Sequence, residues 1–260
     1  MSKTLHIVGT GPGDLTYLPP LARQAIAESD GLVAYPLYID LIQEQDPDLI
    51  TGKQRHDLPL GEEIERARLA LDLAAEGQTI ALISSGDIGI FAMATLVFEL
   101  LDRECNPRWV DIDVQVIPGI SAMQTAASKL GAPLGHDFCA ISLSDLLTPW
   151  PTIETRVRAA GMGDFVVSFY NPVSRKRDWQ LAKARELLLE YRPAETPVIL
   201  GRNLSRKDEK TEVTTLGALD TTQVDMLTVV VIGNSESRTL THQQKTWVYT
   251  PRGYAKKLEG

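Results

Sequence analysis

Short runs of β-branched and aliphatic residues alternate along the chain with stretches whose apolar positions recur at helical spacing. Thr4 to Val8 reads as a buried strand, Leu21 to Ala27 as a helix and Gly31 to Ala34 as a second strand. Glu62 to Glu76 predicts a long helix, because Ile64, Ala67, Leu71 and Ala74 fall on one face. Strand, helix and strand follow at Ile80 to Ile83, Ile90 to Leu101 and Val114 to Ile117. Such alternation implies parallel pairing and an α/β fold. The same grammar restarts further on. Cys139 to Ser142, Phe165 to Phe169, Val198 to Leu200, Glu212 to Thr215 and Thr228 to Ile232 read as strands, and Trp179 to Tyr191 as a helix. Pro118-Gly119, two turn formers after a buried strand, marks the expected boundary. The chain therefore reads as two α/β domains, 1–118 and 119–245, with a tail over 246–260.

Composition narrows the class. A chain of 260 residues that is 43% apolar and 23% charged is folded rather than disordered. The net charge of −8 argues against a broad nucleic-acid surface, which needs a basic face. The longest uncharged apolar stretch, between Asp87 and Glu99, is shorter than the roughly 18 residues of a membrane span. The N-terminus enters a strand with no hydrophobic leader. The expectation is a cytoplasmic protein with no membrane and no nucleic-acid partner. Two cysteines, Cys105 and Cys139, and the scattered His6, His56, His136 and His242 give no metal-ligand spacing, so no metal is expected.

Charge is unevenly spread. Residues 1–170 carry 11 basic and 23 acidic groups, whereas 171–210 carry 10 basic and 6 acidic ones. Much of the positive charge sits in Ser174 to Arg177 and in Arg202, Arg206, Lys207 and Lys210. Read alone, these are either solvated surface charges or the lining of a pocket for a polyanionic small molecule.

Three glycine-bearing turns each follow a predicted strand. Gly9-Thr10-Gly11-Pro12-Gly13-Asp14 imitates a dinucleotide fingerprint, but its sixth position is Asp14, Pro12 lacks an N–H, and Ala34-Tyr35 stands where an acidic residue would hold a ribose. Ser84 to Ile90 (SSGDIGI) offers a glycine for close backbone approach and a carboxylate, Asp87, suited to ribose hydroxyls; Asp87 could equally cap the following helix. Val116 to Ala122 (VIPGISA) is a strand–turn–helix in which Ser121 is a ligand contact or a plain helix cap.

In this order the three turns resemble the tetrapyrrole methylase family, S-adenosylmethionine-dependent methyltransferases built from two α/β domains with a ligand cleft between them. Further blocks carry the likeness along essentially the whole chain: Tyr35 to Ile42 (YPLYIDLI), Gly131 to Trp150 (GAPLGHDFCAISLSDLLTPW), Phe169 to Arg177 (FYNPVSRKR), Gly201 to Asn203, Val231 to Ser235 (VIGNS) and Thr250 to Tyr254 (TPRGY). These blocks are similar to the branch that methylates C-17 of a corrin precursor with ring contraction in cobalamin synthesis. The resemblance implies S-adenosylmethionine as cofactor and S-adenosylhomocysteine as product. Carried over by motif, Pro12, Ser85, Gly86, Asp87, Ile90, Ser121, Ala122, Asn171, Leu204 and Thr228 contact it. Two positions depart from the common pattern: Ile88 stands where the family more often carries Pro or Ala, and Asn171 where it often carries Met.

The implied substrate is precorrin-3B or cobalt-factor III, an anionic tetrapyrrole with many carboxylates. Arg175, Arg177, Arg202 and Arg206 are the expected carboxylate ligands, since a guanidinium meets a carboxylate through a bidentate fork. Methyl transfer asks chiefly for alignment and exclusion of water. Ring contraction, in which C-20 leaves the ring within an acetyl group, also asks for removal of a hydroxyl proton. His136 and Asp137 in the branch-specific block, with Asp40, are the candidates for that step; Ser144 and Tyr170 are further possibilities. A homodimer is expected from the same resemblance. Rival readings are another corrin or sirohaem C-methyltransferase, an rRNA ribose methyltransferase of the same architecture, and a non-catalytic nucleotide-binding module.

Overall fold

A computed structural model describes residues 3–174, 177–254 and 257. The chain divides into two compact units, Met1–Ala122 and Met123–Gly260.

The first unit comprises β1 (Thr4–Gly9), α1 (Pro20–Glu28), β2 (Gly31–Ala34), α2 (Pro36–Gln45), β3 (Gln54–Asp57), α3 (Glu63–Ala75), β4 (Thr79–Ser84), α4 (Met93–Glu104) and β5 (Asp113–Ile117). Its five strands pair in parallel in the order β3-β2-β4-β1-β5. Central strands are apolar on both faces because helices cover both. Leu5 and Ile7 of β1, with Ile80 and Leu82 of β4, pack with Ala67 and Leu71 of α3 and Val97 of α4. The intervening Val8, Ala81 and Ile83 pack on the opposite face with Ala22 and Ile26 of α1 and Ile39 of α2. This is the two-residue alternation of a pleated strand.

The second unit comprises α5 (Ala122–Leu130), β6 (Gly131–Ala132), β7 (Phe138–Ser142), α6 (Trp150–Met162), β8 (Val166–Tyr170), α7 (Gln180–Leu189), β9 (Pro197–Arg202), β10 (Lys210–Thr215), β11 (Thr228–Ile232), β12 (Arg238–His242) and β13 (Lys245–Tyr249). Its main sheet has the order β10-β9-β11-β8-β7. Here the expected parallel pairing fails: only β7 and β8 pair in parallel, while β8–β11, β11–β9 and β9–β10 are antiparallel. The cause lies in the connections. Helices α6 and α7 return the chain so that β7, β8 and β9 share a direction. With no α-helix after β9, β10 folds straight back against it, and β11, reached through the stretch 216–227, runs in the direction of β10 and so against β8 and β9. Leu181, Ala184 and Leu188 of α7, with Ile153 and Val157 of α6, bury against Phe169, Val198, Leu200 and Val230.

A second small sheet, β12-β13-β6, completes this unit. Because β13 pairs with β6 through Val248–Gly131 and Tyr249–Ala132, the polypeptide beyond residue 245 starts as part of a sheet rather than as a tail. No helix among the described residues is long and apolar enough to cross a membrane.

Candidate active site

In the first unit the three glycine-bearing turns form one junction at the carboxyl ends of β4, β1 and β5. The Thr10 N–H and hydroxyl both donate to the Ser84 carbonyl, at 3.0 and 3.2 Å. Gly11 and Gly86 exchange two backbone hydrogen bonds of 3.1 and 2.7 Å. Asp87 then reaches past the end of β1: its Oδ2 accepts from the Gly119 N–H at 3.0 Å and its Oδ1 from the Gly89 N–H at 2.8 Å. The crossing is close enough to require glycine at 119. A Cβ there would lie 2.1 Å from the Gly86 carbonyl oxygen and 2.7 Å from the Gly9 carbonyl carbon.

Gly86 differs in kind. Its φ is +71°, and a Cβ there would meet nothing within 4 Å. Its bare side faces open space beside the half-buried Ser85 and Asp87. Such an exposed backbone cradle fits a small molecule lying against the main chain. Pro12 and Ser121 are buried, and Ile90 and Ala122 are half-buried.

Two sequence expectations change here. Asp87 does not cap the following helix: α4 begins only at Met93, its N-cap is Ala92, and both carboxylate oxygens serve the junction. The expected helix start at Ile90 moves for the same reason, since the Asp87–Gly89 turn and Phe91, at φ +50°, interrupt helical backbone. The loop after β1 is also not a dinucleotide turn. Asp14 Oδ1 accepts from the Thr16 N–H at 2.8 Å, and α1 begins only at Pro20.

In the second unit the positions carried over from the family gather at one sheet edge. Strand register sets Ser142 beside Tyr170 and Arg202 opposite Thr228, so β7, β8 and β9 end where β11 starts. Asn171 follows β8 with φ +49° and donates from Nδ2 to the Ser142 hydroxyl at 3.1 Å. A left-handed backbone suits Asn at this position. Leu204 and Thr228 are each 6% exposed. The Tyr170 hydroxyl accepts from the Met123 N–H at 3.1 Å, which satisfies a donor in the first turn of α5.

Asp225, which no sequence motif singled out, ties this edge together. Its Oδ2 accepts from Arg202 Nε at 2.8 Å, and its Oδ1 accepts from the Thr228 hydroxyl at 2.8 Å and the Leu227 N–H at 3.0 Å. Burial pushes its carboxyl pKa up, but hydrogen bonds from Thr228, Arg202 and Leu227 outweigh it and hold the group below its ordinary value.

The expected arginine set separates. Arg175 lies outside the described residues. Arg177 is not a free cation: its side chain is 14% exposed and its Nε sits 3.8 Å from Asp145 Oδ1. Arg202 is paired through Nε, and Arg206 is half-buried. Among the proton-transfer candidates, Asp40 on α2 is committed to Arg55 Nη2 at 2.7 Å. His136 and Asp137 lie exposed just before β7, and His136 Nδ1 accepts from the Asp137 N–H at 2.8 Å. A neutral imidazole bonded in this way carries its proton on Nε2 and presents a donor. Among the described residues no group of three or more His, Cys, Asp or Glu side chains could hold a metal ion.

The chain is similar to known proteins along most of its length. The family profile of Tetrapyrrole (Corrin/Porphyrin) Methylases matches residues 4–220. A Precorrin-3B C(17)-methyltransferase of Sinorhizobium sp is 43% identical over 256 residues, covering 98% of each chain. A Probable cobalt-factor III C(17)-methyltransferase of Salmonella typhimurium is 45% identical over 251 residues, covering 96% of this chain and 99% of its own. Among solved structures, the methyltransferase CobJ superposes with a TM-score of 0.86 at 38% identity, over 95% of this chain and 99% of that one. With the family profile over residues 4–220, two relatives of 43% and 45% identity covered almost end to end, and the α/β architecture in agreement, the chain belongs to the tetrapyrrole methylase family.

Proposed function

We propose that this chain transfers a methyl group from S-adenosylmethionine to C-17 of precorrin-3B or cobalt-factor III. It then contracts the ring to precorrin-4 or cobalt-precorrin-4 in cobalamin synthesis. One observation carries the reading: 43% and 45% identity, over nearly the full length of both partners, to proteins named for that carbon and those two substrates.

The bound cofactor supplies an electrophilic methyl on a sulfonium. Everything else falls to side chains and backbone. In the first unit Gly86 lets the main chain approach the ligand, with Pro12, Ser85, Ile90, Ser121 and Ala122 as further contacts. Asp87 spends one lone pair of each oxygen on the junction and keeps the others for ribose hydroxyls. In the second unit Asn171, Leu204 and Thr228 are the cofactor contacts that the family motif proposes. Arg202 offers its Nη groups to a propionate or acetate arm of the macrocycle; Arg175, Arg177 and Arg206 are its proposed companions. Alignment and exclusion of water supply most of the acceleration of methyl transfer. His136 enters as a donor from Nε2, and it becomes a base only when its Nδ1 bond to Asp137 opens. We read the protein as a cytoplasmic homodimer, which light scattering on the purified protein would test.

The test is turnover. Purified protein is incubated with S-adenosylmethionine and each macrocycle, and products are read by mass and by absorbance. Gain of one methyl with the spectrum of a contracted ring supports the proposal; no gain with either macrocycle overturns it. His136→Ala separates the two steps: slowed contraction with methylation retained supports the proton-transfer role, and unchanged rates at saturating substrate remove it.

A further inference from the structure

Asp225 stands between two residues to which the proposed function gives different tasks. Arg202 ends β9 and is the proposed substrate ligand. Thr228 begins β11 and is a proposed cofactor contact. The strand register sets the two opposite each other, yet no direct hydrogen bond between their side chains is present among the described residues. Asp225 supplies the link, with a separate oxygen for each.

We infer that Asp225 is a positioning residue that sets substrate and cofactor contacts independently, one carboxylate oxygen for each. Oδ2 holds Arg202 by Nε alone, which leaves Nη1 and Nη2 without a hydrogen-bond partner among the described residues, on a side chain 33% exposed. An arginine held by Nε presents its two Nη groups as a fixed fork, the geometry that receives a carboxylate bidentately. Oδ1 holds the Thr228 hydroxyl and also the Leu227 N–H, so it fixes the backbone entering β11 as well as the side chain. These bonds favour the ionised carboxylate, so the clamp stays closed at neutral pH.

The inference rests on the proposed function, and the division of labour between the two oxygens makes it separately testable. Asparagine has one oxygen and one NH2 group. Oδ1 meets two donors and Oδ2 one, so the amide oxygen of Asp225→Asn takes the Oδ1 place and its NH2 faces Arg202 Nε, donor against donor. Asp225→Ala removes both arms. The experiment uses the full-length protein and measures KM for the accepted macrocycle, kcat, and the Kd of S-adenosylhomocysteine by calorimetry. Asp225→Asn is expected to raise the macrocycle KM about tenfold, the effect of losing one charge-assisted hydrogen bond, while Kd changes by less than about twofold. Asp225→Ala is expected to raise both constants. A plain turn-stabilising role would lower Tm in both variants and leave KM and Kd alone, and that result overturns the inference. So does an Asp225→Asn variant whose Kd rises as much as its KM. Failure of the underlying reading looks different, because the unmutated protein would then neither retain S-adenosylhomocysteine nor methylate a macrocycle.

Discussion

Replacing Gly86 by alanine separates the stability of the strand-end junction from its capacity to hold a ligand. The new Cβ would meet nothing within 4 Å, so no steric cost arises inside the protein. The backbone cost comes from φ +71°, a region that costs an L-residue about 1–2 kcal/mol. Restricting the unfolded chain returns about 0.4–1 kcal/mol. The net loss is therefore about 1 kcal/mol, too little to unfold the protein. A ligand lying against the bare Gly86 backbone meets the methyl group directly. At about 1–3 kcal/mol for overpacking a fitted contact, its Kd rises about 5- to 150-fold. Urea unfolding reads the first quantity, and calorimetry with S-adenosylhomocysteine reads the second. A Gly86→Ala protein that is nearly as stable as the parent but binds several-fold more weakly is the expected outcome. Unchanged binding would show that the open side of Gly86 is not where the cofactor lies.

Three further outcomes follow from the same structure. Gly119→Ala drives a Cβ to 2.1 Å from the Gly86 carbonyl oxygen, backbone against backbone; it is expected to cost about 3 kcal/mol in urea unfolding, and a loss below about 1 kcal/mol would contradict the crossing. Arg192, 4% exposed, donates to the carbonyls of Ala160, Phe165 and Gly233; Arg192→Met removes these three bonds, leaving the Ala160 carbonyl its Phe165 N–H, and is expected to lower stability by about 3 kcal/mol in the same assay, which an unchanged urea midpoint would refute. His6, buried in β1 with Nδ1 unpartnered, has its pKa lowered by burial against the opposing pull of Glu28 and Asp113. The unfolded chain then binds the proton more readily than the native one, so this contribution is complete above about pH 6.5 and is lost as pH falls toward the lower native value. His6→Leu should flatten the decline in urea midpoint between about pH 7.5 and about pH 5.5, and an unaltered slope would exclude the residue as its source.

The elements most legible in the sequence are those with two apolar faces or one apolar stripe. β1, β2, β4 and α3 were readable because burial writes itself into their residues. β3 was not, since Gln54 to Asp57 lies at a sheet edge with polar, largely exposed side chains. β12 escaped for the same reason, all five of its residues being exposed. Strand direction in the second unit is not legible because residue pattern marks a strand but not its orientation; the one clue is the missing α-helix between β9 and β10, which pair antiparallel. The junction of Gly9, Gly86 and Gly119 was legible as three separate turns, each glycine marking a close approach or a left-handed backbone. That they touch is a fact of strand order. Asp225 left no mark at all, because a lone Asp before a strand looks like ordinary turn chemistry. Its importance comes from Arg202 and Thr228, distant from each other in sequence and brought together only by the β9–β11 pairing.

Transfer of an isotopically labelled methyl group offers the most direct check. With 13C-methyl S-adenosylmethionine, purified protein and precorrin-3B or cobalt-factor III, the product's carbon NMR spectrum should place the label on C-17 of a contracted macrocycle. Label on a different ring carbon, or label remaining on the sulfonium with both macrocycles, would contradict the assignment.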